Sequence, residues 1–432
     1  MHERRPPADR RCGQPRTVSF VIATHNRRDV LLGTLERLEA VRAEAAWSEI
    51  LVVDNASADG TAEAVETTFR QVRVLRSARN LGSCAKALAA HEATGQIVVF
   101  LDDDSFPRPG SITAMLERFA GDDTLAAAGF MVHLPDGRLE CSALPDVFVG
   151  CGVGLRRAAL DQVGGLDPGL FMQAEEYDLS FRLVQAGWNV RTFPDLHVDH
   201  LKSPRARLSG RTVYYDTRNN LILAARYLPD DLEGIYRRDW AQRYQWIASS
   251  CGHRSEYWRA RMAGYRRRMA ERQAWARWRL GQQAVEQLFR IDQIAGGCAD
   301  MAAGGLRRIV LADLGKNIWP FVRGACAHGL QILAIADERF AFRNRNYRGI
   351  KILSTSEALS LRPEALLVAN TSPVHAALAE DRLVQLTDRP IFRWFGYDRP
   401  HGPGVVGRSD AAVRNRPVVD EMIKKVLTTS GR

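Results

Sequence analysis

The stretch Ile97-Val98-Val99-Phe100-Leu101-Asp102-Asp103-Asp104-Ser105-Phe106-Pro107 decides how this chain is read. An apolar run this short, bounded by Gly95 and Pro107, reads as a buried strand. Three carboxylates then stand at its carboxyl end, where open α/β sheets place their ligands. Carboxylates so close together repel, and the cluster needs a hard cation or a set of hydrogen-bond donors to offset it. The competing reading is a solvated acidic turn, because Asp suits turns through its own backbone hydrogen bonds.

Upstream of this strand, the chain alternates between strand and helix patterns. Val18 to Ala23 reads as a strand, Asp29 to Arg42 as a helix and Glu49 to Val53 as a second strand ending at Asp54. A turn-rich loop from Asn55 to Thr61 follows, with Asp59 or Thr61 placed to cap a helix reaching Phe69. Val72 to Leu75 is a third strand, and Cys84 to Thr94 a helix leading into the acidic strand. That order predicts parallel strands with right-handed crossovers, whose ends open on one crevice. Asp54 is an acceptor suited to the N–H edge of a base, and Thr24, Asn26 and Arg27 offer donors to base, ribose and phosphates. Asn80-Leu81-Gly82-Ser83 precedes a helix start that could face phosphate, with Lys86 one turn inside; a plain turn and cap is the alternative. His25 and His91 are read as structural.

Downstream, Gly164-Gly165-Leu166-Asp167-Pro168 introduces a second acidic group, Glu175, Glu176 and Asp178, near the start of a helix. They read either as acids favoured by the helix dipole or as a general base with neighbours that tune it. A strand from Val190 to Phe193 leads to His200, whose neutral imidazole could complete a cation's shell.

The chain has 432 residues, enough for two or three domains, with 46% hydrophobic and 25% charged residues. It lacks an apolar stretch near the roughly 18 residues that a membrane span needs. The expectation is a cytoplasmic protein, soluble or peripheral at the inner face of the cell membrane. Cys12, Cys84, Cys141, Cys151, Cys251, Cys298 and Cys326 are scattered without a C-x-x-C pair, which favours reduced thiols. The net charge of +10 gathers between Arg237 and Arg279, interleaved with Trp240, Tyr244, Trp246, Tyr257, Trp258, Tyr265, Trp275 and Trp278. Such a belt suits a membrane surface or a lipid-linked substrate, or else solvated helices whose aromatics pack inward. No nucleic-acid motif accompanies the charge, which argues against that partner.

Beyond residue 305 a smaller α/β unit is expected. It comprises strands Arg308 to Ala312, Gln331 to Ile335 and Ala365 to Ala369, with helices Trp319 to His328 and His375 to Glu380. Asp337 follows a glycine turn as in a dinucleotide-binding half, but only Gly315 stands where three glycines are wanted. A Rossmann-like module without a redox role is therefore expected. The resulting domain plan is a leader over 1–16, an α/β domain over 17–225, a helical Arg/Trp/Tyr-rich region over 226–304, the Rossmann-like unit over 305–400 and a polar tail over 401–432.

Several of these segments, in order, resemble the family 2 glycosyltransferases of GT-A fold: Val18 to Arg27, Leu51 to Thr61, Asn80 to Gly82, Phe100 to Pro109, Phe148 to Asp167, Glu175 to Trp188, and Tyr214-Tyr215 with Arg218-Asn219-Asn220. The resemblance implies a mixed, mainly parallel sheet and an inverting transfer of sugar from a UDP- or dTDP-linked donor. The acceptor would be a glycan or lipid-linked hydroxyl, in cell-surface polysaccharide or glycoconjugate synthesis. It implies that Thr24, Asn26, Arg27, Asp54, Asn80, Gly82, Lys86, Asp102 and Asp103 line the nucleotide-sugar pocket, and that Asp104 and His200 hold Mg²⁺ or Mn²⁺. Glu176 takes the family's catalytic-base position, commonly Asp, which leaves Glu175 and Asp178 as alternatives. Two rival classes are a nucleotidyltransferase and a non-catalytic binder. The first wants a glycine-rich triphosphate loop, and Thr24 to Arg27 is not one. For the second, the departure at Glu176 is the only feature in its favour.

Overall fold

Phe20-Val21-Ile22, Ile50 to Val53 and Ile97 to Leu101 are apolar on both strand faces, and every one of these residues is buried. Such strands belong in the middle of a covered sheet. In the computed structural model, which describes residues 17–202, 209–342, 344–397 and 404–406, they form its parallel centre. The strands are β1 (Thr17–Thr24), β2 (Trp47–Asp54), β3 (Val72–Arg76) and β4 (Ile97–Asp102), in the order β3-β2-β1-β4. Helices α1 (Arg28–Arg42), α2 (Thr61–Thr68) and α3 (Lys86–Glu92) connect them. The expected leader lies outside the described residues.

After β4 come β5 (Ser105–Pro107), α4 (Ser111–Gly121), β6 (Leu125–His133), β7 (Leu139–Glu140), β8 (Gly152–Arg156), α5 (Arg157–Val163), α6 (Glu175–Gln185) and β9 (Asn189–His200). Here the sheet turns mixed. β8 runs antiparallel to β4 and to β6, and β9 is parallel to β6 but antiparallel to β5. The parallel expectation for the first strands holds across β1 to β4, and the sheet as a whole is mixed, as expected.

Local details also differ from the sequence reading. The cap of α2 is Gly60, at φ 76°, and Asp59 instead accepts from the backbone N–H and hydroxyl of Thr61. The helix expected from Cys84 begins as a 3₁₀ turn, Gly82–Ala85, because Gly82 enters at φ 66°. The strand expected over Val190 to Phe193 extends to His200, since Leu196 and Val198 continue the buried side.

The chain divides into two compact units, one ending at Phe289 and the other beginning at Arg290. The first includes α7 (Gly210–Tyr227), α8 (Asp230–Cys251), α9 (Arg254–Trp275) and α10 (Gln282–Phe289). α7 packs against α8 and α9, so the helical region belongs largely with the first unit. Trp240, Tyr244, Tyr257 and Trp275 of the aromatic belt are buried within it.

The second unit holds α11 (Ile291–Ala303), β10 (Arg308–Ala312), α12 (Trp319–Ala327), β11 (Gln331–Ala336), β12 (Asn346–Tyr347), β13 (Ile350–Leu353), α13 (Thr355–Ser360), β14 (Ala365–Val368), α14 (Pro373–Leu383), β15 (Ile391–Arg393) and β16 (Gly404–Val406). Its sheet order is β12-β13-β11-β10-β14-β15-β16, parallel except at the two edges. Gly404–Val406, expected as tail, is the strand β16; the rest of 401–432 lies outside the described residues. Asp337, placed by the sequence where a ribose ligand would stand, is buried. Its carboxylate accepts from the backbone N–H groups of Leu314 (2.8 Å), Arg339 (2.9 Å) and Phe340 (3.1 Å). That carboxylate holds the β10 and β11 turns together.

Candidate active site

At the carboxyl ends of β1 and β4 lies a cleft of about 570 Å³, lined by residues from both acidic groups. Sheet register explains how distant residues meet there. β4 stops after Asp102, and the Ser105 hydroxyl accepts from the Asp102 N–H and donates to the Cys151 carbonyl (both 2.8 Å). Ser105 then pairs with His200 in the β5–β9 ladder, while Leu101 pairs with Gly152 in β4–β8. His200 and Cys151 are thereby brought against the aspartates.

The three aspartates have separate surroundings. Lys86, itself buried, donates to Asp102 (2.5 Å) and to the Gly150 carbonyl (2.9 Å). Burial would raise Asp102, but Lys86 and His200 outweigh it and hold it below the usual carboxylate range. Lys86, the first residue of α3, is thus a buried counter-ion of Asp102. Asp103 accepts from Thr24 (2.8 Å) and Arg27 (2.6 Å); burial pushes it up to about 6 against the pull of Arg27. Asp104 accepts from Arg27 (2.8 Å) and lies 3.1 Å from His200 Nε2. Burial works against its ionisation, but His200 and Arg27 hold it well below the ordinary value.

His200 Nδ1 lies 3.0 Å from Glu140 Oε2 and 3.3 Å from Cys151 Sγ, leaving Nε2 to face Asp104 and Asp102. Burial lowers its basicity, but contacts with Cys151, Asp104 and Glu140 raise it well above the ordinary imidazole value. Two carboxylates and an imidazole converging, with a carboxylate on the far ring nitrogen, are a donor set that fits Mg²⁺ or Mn²⁺. Asp102, Cys151 and His200 also bring their ligand atoms within 4.8 Å of one another. Glu140 and Cys151 escaped the sequence reading because no local spacing marks them; only the β6–β7 hairpin and the start of β8 carry them in.

Glu175 and Glu176 also line the cleft. α6 is entered through Phe171, Gln173 and Ala174, all at positive φ (69°, 66° and 64°). Non-glycine residues held there cost about 1–3 kcal/mol each unless their surroundings over-determine them. α7 supplies that hold: Asn219 donates to the carbonyls of Leu170 (3.0 Å), Met172 (2.8 Å) and Gln173 (2.7 Å), and Arg218 to those of Gly169 and Leu170. Tyr215 stacks on Phe171 with ring centroids 4.8 Å apart. Gly82 presses on the same loop, where a Cβ would overlap the Phe171 carbonyl oxygen. Glu175 is buried and accepts from Ser83; burial raises its carboxyl, and its Oε2 has no hydrogen-bond partner among the described residues.

The remaining expected residues stand apart from this cleft. Asp178 is fully buried and accepts from Arg182 (3.1 and 2.8 Å), Arg226 (2.7 Å) and Tyr227 (2.7 Å), tying α6 to α7. It is absent from the lining, as are Asp54 and Asn26. Asp54 is buried and accepts from the Ser57 N–H (3.2 Å), and Asn26, at φ 53°, accepts from the Ala58 N–H (2.7 Å). Both shape the 55–59 loop. Thr24, Arg27, Asn80, Gly82, Lys86, Asp102, Asp103, Asp104 and His200 do line the cleft, joined by His25 and Asn55. Asn55 links the strand ends through Leu81 N–H (2.8 Å) and the Gly82 carbonyl (2.9 Å).

Residues 19–146 match the profile of Glycosyl transferase family 2, and residues 113–310 that of Glycosyl transferase family group 2. The chain is 28% identical over 204 residues to the N-acetylglucosaminyl-diphospho-decaprenol L-rhamnosyltransferase of Mycobacterium tuberculosis, covering 36% of this chain and 66% of that protein. It is 25% identical over 262 residues to the mouse (Mus musculus) polypeptide N-acetylgalactosaminyltransferase 15, covering 51% of this chain and 41% of that protein. It thus spans less than two thirds of either relative. A similar solved structure is the Pyrobaculum calidifontis mannosyltransferase PcManGT in complex with GDP-Man and Mn²⁺, at 18% identity and TM-score 0.42, covering 64% of this chain and 88% of that one.

Proposed function

We propose, on the premise that this chain belongs to the family 2 glycosyltransferases, that its cleft transfers a sugar from a nucleoside-diphosphate donor to an acceptor hydroxyl. The observation that carries the reading is the gathering of Asp102, Asp104 and His200 with Glu175 and Glu176 in the lining of one cleft. Charge that develops on a leaving diphosphate is met by the first group, and the acceptor's proton by the second.

Asp104 and His200, with Asp102 beside them, would hold a divalent cation, Mg²⁺ or Mn²⁺, which when bound neutralises charge on the diphosphate. Arg27, ion-paired to both Asp103 and Asp104, orients that carboxylate edge. Lys86 keeps Asp102 ionised. Glu176 takes the acceptor proton as the hydroxyl attacks the anomeric carbon, inverting it. Glu175, held by Ser83, sets the position of that helix turn and keeps a second carboxyl nearby. Base catalysis of this kind contributes about 10²–10⁴ in rate.

A UDP- or dTDP-linked donor is proposed from the family likeness, since Asp54 itself lies outside the cleft lining. A glycan or lipid-linked acceptor is proposed from the basic, aromatic helices and from the decaprenol-linked substrate in the mycobacterial relative's name. The setting would be cell-surface polysaccharide or glycoconjugate synthesis at the inner face of the membrane. No helix of the described residues is long and apolar enough to cross a membrane.

The test is a thermal-shift panel of UDP, dTDP, GDP and CDP, with and without Mn²⁺, on wild type and Asp104→Ala. Ligand that binds the native state raises the melting temperature by mass action. A metal-dependent shift with one diphosphate, lost in the variant, is expected. No shift with any of the four would refute the transferase reading.

A further inference from the structure

Helix α9 carries an apolar stripe that its own domain leaves uncovered. Trp258, Met262, Tyr265 and Met269 are 50%, 51%, 55% and 59% exposed. Their spacing of four, three and four residues places them on a single helix face. The inward face is a different one, formed by the buried Tyr257, Ala260, Gly264 and Trp275. Large side chains exposed in register, rather than singly, mark an interaction surface.

Charge selects the partner. α9 holds seven arginines and two glutamates. Both glutamates are engaged within the protein, Glu256 with Ser255 (2.7 Å) and Glu271 with Arg267 (2.9 Å). Exposed Arg254, Arg261 and Arg272 border the stripe on one side, and exposed Arg259 and Arg266 on the other. The Arg261 guanidinium lies 5.2 Å from the Trp258 ring centroid, so the cation and the aromatic are presented together. A groove of about 490 Å³ runs beside them, lined by Tyr214, Trp258, Arg259, Met262, Ala263 and Arg266. Tyr214 stands less than one turn along α7 from Arg211 and Thr212, which line the catalytic cleft.

We propose that this face of α9 docks the enzyme on an anionic lipid bilayer, with the Trp/Met/Tyr stripe in the interface and the flanking arginines on lipid phosphates. The inference deepens the peripheral-membrane part of the functional reading and does not depend on the transfer chemistry. Docked in this way, the cleft mouth beside Arg211 stands at the surface from which a lipid-linked acceptor would enter. An interfacial helix of this kind binds through apolar contact plus electrostatic attraction to anionic headgroups.

The experiment is vesicle co-sedimentation of the full chain with phosphatidylcholine alone and with a 7:3 mixture of phosphatidylcholine and phosphatidylglycerol, at low and high salt. Binding to the anionic vesicles only, weakened by salt, is expected. Each arginine near such a surface strengthens binding about fivefold, so Arg259→Gln/Arg261→Gln/Arg266→Gln should weaken it about a hundredfold. Trp258→Ser/Met262→Ser should release it as well. The nucleoside-diphosphate thermal shift of both variants serves as the independent readout of the cleft and should match wild type. Absence of binding to anionic vesicles, or binding unchanged in both variants, overturns the proposal even if the nucleotide shift is present. A mass that doubles with concentration and is lost in Trp258→Ser/Met262→Ser, without vesicle binding, would assign the stripe to a second copy of the chain instead.

Discussion

Asp178→Ala separates a structural acid from a catalytic one. The Asp178 carboxylate is fully buried and accepts four hydrogen bonds, from Arg182 Nε and Nη2, Arg226 Nη1 and the Tyr227 hydroxyl. Removing it leaves two guanidinium groups, 8% and 7% exposed, without their shared counter-charge. Arg182 keeps the carbonyls of Val163, Gly164 and Gly165, and Arg226 keeps Asp167 (2.9 Å), so the loss falls short of two wholly unpaired ions. Breaking a buried pair by deleting one partner costs about 3–5 kcal/mol. A unit of this size loses about 2–4 °C per kcal/mol, so a fall of roughly 6–20 °C is expected. Differential scanning calorimetry of the full chain reads that fall in the first unit's transition, and nucleoside-diphosphate release per folded molecule gives the rate. The expected result is a large thermal loss with the rate below the transition within about threefold of wild type. A variant that melts within a degree or two of wild type but no longer turns over would refute the structural assignment and return Asp178 to the chemistry.

Glu176→Gln should do the opposite, lowering the transfer rate about 10²–10⁴-fold while leaving melting temperature and nucleotide affinity near wild type, as steady-state kinetics and thermal shift will show. Asn219→Ala orphans the Leu170, Met172 and Gln173 carbonyls that it holds. The α6 entry should loosen, with kcat down at least about tenfold and the donor KM changed far less. Gly82→Ala forces a Cβ onto the Phe171 carbonyl at φ 66°, and should cost about 2–4 kcal/mol in urea unfolding. The pH profile of the metal-free protein should slope on the alkaline side. His200 is raised in the folded state, so its contribution is complete below its unfolded pKa of about 6.5 and is lost as pH rises toward the folded value. Urea unfolding in chelator at pH 6 and pH 8.5 should show wild type losing stability and His200→Gln losing distinctly less.

The sequence by itself determined the parallel half of the sheet and the acidic strand end. Val18 to Ile22, Ile50 to Val53 and Ile97 to Leu101 carry their two-sided burial in their own composition, and a carboxylate at a strand's carboxyl end needs no partner to be located. It also placed Glu175 and Glu176, because helix periodicity puts them at the first turn of α6. What tertiary structure alone decided was which acids face the cleft and what faces them. Asp178 shares the α6 start with the two glutamates and lies on the same helix face as Glu175, three residues before it, yet tertiary packing encloses it with Arg182, Arg226 and Tyr227. Lys86 reads as a phosphate ligand in sequence and folds as the buried counter-ion of Asp102. Glu140 and Cys151 have no local signature, and they reach His200 only because antiparallel pairing of β8 with β4 and of β7 with β6 fixes their register. Periodicity and composition are properties of neighbours along the chain, whereas a site assembled from strand ends depends on register between segments tens of residues apart, and that is set only when the sheet closes.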